Sequence, residues 1–168
     1  MTITFHGELT AERVRDCLSY CPENGVFVWV KPPKEHKRLA GTVAGCVSTG
    51  YVMIKFDGIG YKAHRLAWLY VYGSMPEVGV DHKDGNPLNN RLGNLRLATQ
   101  SQNGANAARK AGKATPKGVR RLPSGRYQAR IRHAEKLRTI GTFNSPEAAA
   151  QAYISESKRL NGEFARAA

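Results

Sequence analysis

The stretch from Val78 to Asn103 constrains this chain more than any other. Val78 to Lys83 reads as a strand, and Asp84-Gly85-Asn86-Pro87 is dense in turn-forming residues. Leu92 to Leu97 reads as the returning strand. Thr99 with Gln102 three residues on fits a capping box, so a short helix starts near Gln100 and carries Asn103. The expected order is strand, long loop, strand, helix. Asp81 and His82 are neighbours on the first strand, so their side chains point to opposite sides. A bulge or a strand end must bring both to one pocket.

These residue types carry a definite chemistry. The Asp81 carboxylate and the Asn103 amide oxygen are hard donors suited to one divalent cation per site, Mg²⁺ or Mn²⁺, with water and phosphate oxygens completing the shell. His82 is then left to take a proton from an attacking water. The cation stabilises charge on the phosphate and the leaving 3′-oxygen. Asn94 is placed to hydrogen-bond across the loop and fix His82. A zinc site from Cys17, Cys21 and Cys46 lacks a fourth ligand, and reduced thiols are the simpler reading of three cysteines.

Charge points to a polyanionic partner. Lys and Arg number 26 against 13 acids, a net of +13. Residues 1–103 hold 12 basic and 9 acidic side chains, a net of +3, whereas residues 104–168 hold 14 and 4, a net of +10. The change falls in the small-residue, basic stretch 104–116, read as a linker. No apolar run approaches the roughly 20 residues of a membrane helix. The N-terminus lacks a signal-peptide pattern, so a cytoplasmic location is expected. No serine or cysteine sits in a recognisable nucleophile context with a His–Asp pair.

Elsewhere in the first half, Thr10 starts a short helix with Val14, Cys17 and Leu18 on one face. Gly25–Val30 is a strand and Pro32–Arg38 a polar loop. Tyr51–Phe56 and Tyr61–His64 form a hairpin, and a helix follows from about Arg65 to Tyr72. His64 and Arg65 stand at the strand–helix junction, either as phosphate contacts beside the site or, for the histidine, as a structural hydrogen-bonding group.

The second half alternates. Gly118–Arg121 is a short strand, and Arg126, Gln128, Arg130 and Arg132 share one face of the next, with Tyr127, Ala129 and Ile131 on the other. Leu137–Phe143 makes a third strand after a turn at Ala134-Glu135. Ser145-Pro146-Glu147 is a strong helix start. Small alanines let that helix pack close to the apolar face of the sheet. The arginine row, almost without acids to pair with, fits phosphate and guanine contacts in DNA.

Two resemblances follow. Asp81-His82, Asn94 and Asn103, with Tyr61–Trp68 and the Asn89-Asn90-Arg91 run, resemble the motif of HNH nucleases, in the form of phage and intron-encoded homing endonucleases. The resemblance covers about residues 20–104. It implies a ββα-metal unit in which His82 is the general base, Asp81 and Asn103 bind the metal and Asn94 orders the loop. Asn103 in place of histidine favours an oxygen-loving cation. Residues 115–165 resemble the plant Apetala-two or ethylene-response-factor DNA-binding domain, in Gly118-Val119-Arg120, Gly125–Arg132, Ile140–Phe143 and Glu147–Tyr153. That likeness implies a three-stranded sheet in the major groove, with Lys117, Arg120, Arg130, Arg132 and Thr139 on its reading face. Ser124 and Thr139 replace tryptophans of that family and Arg130 replaces an acid, so its target sequence does not carry over.

The expectation is therefore an α+β chain. An HNH domain spans 1–103, its ββα-metal core about 76–106. A basic linker spans 104–116, and a sheet packed on one helix spans 117–168. The expected activity is metal-dependent endonucleolytic hydrolysis of double-stranded DNA by a monomer or homodimer, with nicking by a single site. The alternative is a DNA-binding regulator with an inactive HNH unit.

Overall fold

A computed structural model describes residues 9–56, 58–107, 114–134 and 136–166. The chain is a mixture of helices and small antiparallel sheets in two compact units, Met1–Leu97 and Ala98–Ala168.

In the first unit α1 spans Ala11–Cys17 and is capped by the Thr10 hydroxyl, which accepts from Arg13 N at 3.2 Å. The chain turns straight into β1 (Leu18–Cys21), which pairs with β2 (Val26–Trp29). β1 was not expected, because the spacing of Val14, Cys17 and Leu18 fits one helical face equally well. Leu18 is instead fully buried as the first residue of the hairpin. The polar loop after Pro32 contains a 3-10 segment, Lys34–Leu39.

A second sheet, in the order β3-β4-β5, comprises Cys46–Ser48, Tyr51–Phe56 and Ile59–Lys62. β5 ends two residues before the expected strand end. Ala63 and His64 already belong to α2 (Ala63–Tyr72), which stops at Gly73 in a left-handed cap. Val14, Leu18, Phe27, Ile54, Leu66 and Leu69 fill the core of this unit, with the Tyr20 ring stacked 4.6 Å from Phe27.

β6 (Gly79–His82) then pairs with β7 (Leu95–Ala98). The returning strand is shorter than expected because Leu92–Asn94 forms a 3-10 turn. Among the described residues no helix is long and apolar enough to cross a membrane.

In the second unit α3 (Gln100–Asn106) opens with the full capping box, Thr99 Oγ1 accepting from Gln102 N and Gln102 Oε1 from Thr99 N. The helix takes in residues 104–106 of the expected linker, and residues 108–113 of it lie outside the described residues. β8 (Val119–Arg121), β9 (Tyr127–His133) and β10 (Lys136–Phe143) form a sheet in the order β10-β9-β8. Of the expected Ala134-Glu135 turn, Ala134 is left-handed at φ 47° and Glu135 lies outside the described residues. α4 (Pro146–Asn161), capped by Ser145, covers the apolar face and buries Val119, Ala129 and Ala149.

Candidate active site

Asp81 and His82 are the last two residues of β6, and each is 5% exposed. Strand alternation sends them to different neighbours. Asp81 meets Arg96 of β7, whose Nε and Nη2 both lie 2.9 Å from Oδ2. His82 packs edge-to-face on His64 of α2, with ring centroids 4.8 Å apart, and Tyr51 of β4 faces both imidazoles.

The loop between β6 and β7 is held by its own amides. Asn94 Oδ1 accepts from Asp84 N at 3.1 Å, and Asn94 Nδ2 donates to Asp84 Oδ1 and to the Asn89 carbonyl. Asp84 also accepts from Asn86 N and from Asn89 Nδ2. Burial alone raises the Asp84 carboxyl. The three hydrogen bonds and the nearby His82 outweigh it and leave the group below the usual carboxylate range. Asn94 thus bonds across the loop to Asp84 and Asn89, and among the described residues its amide makes no hydrogen bond to His82.

The amide on the His82 ring belongs to Asn90, whose Oδ1 lies 3.2 Å from Nε2. Asn90 Nδ2 donates to the Leu88 carbonyl, which sets the amide oxygen toward the imidazole. An amide oxygen only accepts, so in this contact Nε2 is the donor. Asn90 is itself fixed from afar. The buried Tyr20 hydroxyl donates to its carbonyl at 2.7 Å, and Leu92 N donates to the Pro22 carbonyl. Burial pushes the Tyr20 phenol up to about 12. Gly25, at φ +75°, lets the β1–β2 turn lie against this loop, since a Cβ there would sit 2.4 Å from Arg91 N.

His64 is buried, and among the described residues its Nδ1 has no hydrogen-bond partner. Burial first, then the charges of His82, Lys62 and Arg65, lower it to about 3. The folded chain therefore holds His64 neutral while the unfolded chain protonates it near 6.5. Stability is full above pH 6.5 and falls as the pH drops toward 3. About 2 kcal/mol is lost by pH 5 on this account. Urea titrations at pH 7 and pH 5 are expected to show that loss in the wild type and a smaller one in His64→Phe. Equal acid losses in the two proteins would contradict it. Arg65 donates to the Pro76 and Val78 carbonyls and so steadies the segment that enters β6.

In the second unit, directly opposed residues share a sheet face. Arg120 pairs with Gln128, Arg130 with Thr139 and Arg132 with Leu137, all on the face away from α4. Arg120 Nε donates to Gln128 Oε1, and Arg126, just before β9, donates to the Thr142 carbonyl. Lys117 has a different engagement. Its ammonium donates to the Ala105 and Ala107 carbonyls at the end of α3, and burial lowers its pKa. Asn103 lies on α3 with its backbone in the helix ladder.

The model of a known family, HNH endonuclease, matches residues 61–105, the span that holds His64, Asp81, His82, Asn90, Asn94 and Asn103. A protein of Escherichia phage T7 named Protein 3.8 is 32% identical over 114 residues, which cover 63% of this chain and 92% of that one. The chain belongs to the HNH endonuclease family. It is 36% identical over 114 residues to an uncharacterized HNH endonuclease of Acanthamoeba polyphaga mimivirus, covering 67% of this chain and 59% of that protein. It is 32% identical over 93 residues to an SPbeta prophage-derived protein of Bacillus subtilis (strain 168) named as a putative HNH homing endonuclease, with 55% and 53% covered. The chain thus spans little more than half the length of these two HNH relatives. No solved structure matches it.

The sequence alone assigned no role to Asn90, Tyr20 or Arg96. Tyr20 lies 70 residues from the carbonyl it holds, and no local pattern announces such a contact.

Proposed function

We propose that this chain is a divalent-cation-dependent DNA endonuclease of the homing type, which nicks double-stranded DNA. The observation that carries the reading is the buried contact of His82 Nε2 with the Asn90 amide oxygen at 3.2 Å. Nε2 donates to the Asn90 amide oxygen, and Nδ1 is the nitrogen proposed to accept a proton from an attacking water. In this reading β6, β7 and α3 form the ββα-metal unit, and Asp81 and Asn103 hold the cation.

The donor chemistry fits. Asp81 offers a buried hard oxygen and Asn103 an amide oxygen, which suits Mg²⁺ or Mn²⁺ completed by water and phosphate. Among the described residues no three His, Cys, Asp or Glu side chains cluster as a closed cage. When bound, the cation supplies charge stabilisation at the phosphate and at the leaving oxygen. His82 takes the proton of the water, while Asn94, through Asp84, keeps the loop at one length and register.

The open face of the C-terminal sheet supplies DNA affinity through Arg120, Arg130, Arg132 and Thr139, with Arg126 at its edge. In the first unit His64 packs on the catalytic histidine, and Arg65, its neighbour in the chain, is the proposed phosphate contact there. Lys117 acts there by holding the end of α3. Replacing Arg130 and Arg132 together by alanine is expected to weaken duplex binding about tenfold or more and to lower the salt slope by about 2. Fluorescence anisotropy across a salt series reads both. An unchanged affinity and slope would remove this face from the DNA interface. Nuclease function itself is tested by mapping cleaved strands of end-labelled duplexes, with Mg²⁺ or Mn²⁺ and with a chelator. Cuts in one strand that the chelator abolishes are the expected result.

A further inference from the structure

The Asp81–Arg96 pair is buried, with side chains 6% and 10% exposed, and Arg96 Nε and Nη2 each lie 2.9 Å from Asp81 Oδ2. A buried carboxylate needs a cationic or hydrogen-bonding partner, and Arg96 supplies it. A divalent cation on the same carboxylate places two positive groups within a few ångström of each other, where the local dielectric is far below that of water. The guanidinium and the cation are therefore competitors for Asp81.

We propose that Arg96 is a resident counter-cation that holds down the affinity of the site for divalent metal, so that a cation enters by displacing the guanidinium from Oδ2. This rests on Asp81 being a metal ligand, as the functional reading has it. The chain then stays folded around a neutralised carboxylate in the absence of metal. Its cation occupancy rises when another anion draws Arg96 away. A DNA phosphate is the anion that the active site would bring to it, so metal and DNA bind with positive cooperativity.

The test is Mn²⁺ binding to the full chain, read as loss of the free-ion electron paramagnetic resonance signal, for the wild type, Arg96→Gln, Arg96→Lys and Asp81→Asn. Arg96→Gln is expected to bind Mn²⁺ about tenfold tighter than the wild type, since a charge is removed beside the ligand. Arg96→Lys keeps the charge and is expected to stay within about threefold of the wild type. Asp81→Asn is expected to lose this binding. A second readout is the melting temperature, which Mn²⁺ should raise more in Arg96→Gln than in the wild type. Should Arg96→Gln be unfolded without metal, Mn²⁺ is expected to restore its far-ultraviolet dichroism, and failure to do so would overturn the proposal.

Equal or weaker Mn²⁺ binding in Arg96→Gln, with wild-type binding intact and lost in Asp81→Asn, overturns the role of Arg96 alone. Absence of Mn²⁺ binding in every variant, or binding that survives Asp81→Asn, removes Asp81 from the metal site and the proposal with it.

Discussion

Gly118→Ala is expected to unfold the C-terminal sheet. Gly118 stands at φ +74°, a left-handed conformation that costs a residue with a Cβ about 1–3 kcal/mol. Lack of space adds to that cost. An added Cβ would lie 2.1 Å from Tyr153 Cδ2 and 2.4 Å from Cε2, well inside contact distance. Tyr153 is 6% exposed on α4, so its ring has nowhere to swing without opening the packing on the sheet. Overpacking of that kind costs about 1–3 kcal/mol more. Together these are a large part of the roughly 5–15 kcal/mol that holds a domain folded. Urea denaturation of the full chain should show a lost or strongly shifted transition, and duplex affinity should fall with it. Stability within about 0.5 kcal/mol of the wild type would contradict this expectation.

Removal of the His82 imidazole is expected to slow DNA cleavage by about 10²–10⁴-fold, the usual worth of a positioned general base. Duplex affinity should change little, because the proposed DNA grip lies mainly in the second unit. His82 is buried against His64, so alanine leaves a hole as well as removing a base. His82→Gln keeps most of the volume and is the fairer comparison. Both variants should lose cleavage alike, whereas a packing defect alone would show in alanine and recover in glutamine.

Much of this fold could be read residue by residue, and the reason differs from place to place. The Thr99–Gln102 capping box and the Ser145-Pro146 helix start are local hydrogen-bond devices, complete within four residues, and the structure has both. The clean alternation in Tyr127–His133 was equally legible, because one face is buried under α4. β1 was missed because a short apolar run serves a helix face or a strand. β3, with all three residues exposed, offers no alternation to detect. The Asx-rich loop could be recognised by composition, yet which asparagine touches His82 could not. Asn90 and Asn94 are the same residue type four apart, and only the anchoring of the Asn90 carbonyl by Tyr20 and the local loop path separate their roles. The Asp81–Arg96 pair depends on how β6 meets β7 across a loop, which spacing alone does not give.

The measurement that bears most directly on the central claim is the rate at which supercoiled DNA is converted to open circles by the full chain in Mg²⁺ or Mn²⁺, with His82→Gln alongside. Metal-dependent nicking by the wild type is expected, stopped by a chelator and lost by at least about a hundredfold in His82→Gln. Nicking by His82→Gln at the wild-type rate would contradict the role of His82 as the base. Tight duplex binding by a wild type that leaves an unbiased DNA library uncut in either metal would contradict the nuclease reading altogether, since that is the behaviour of a DNA-binding regulator.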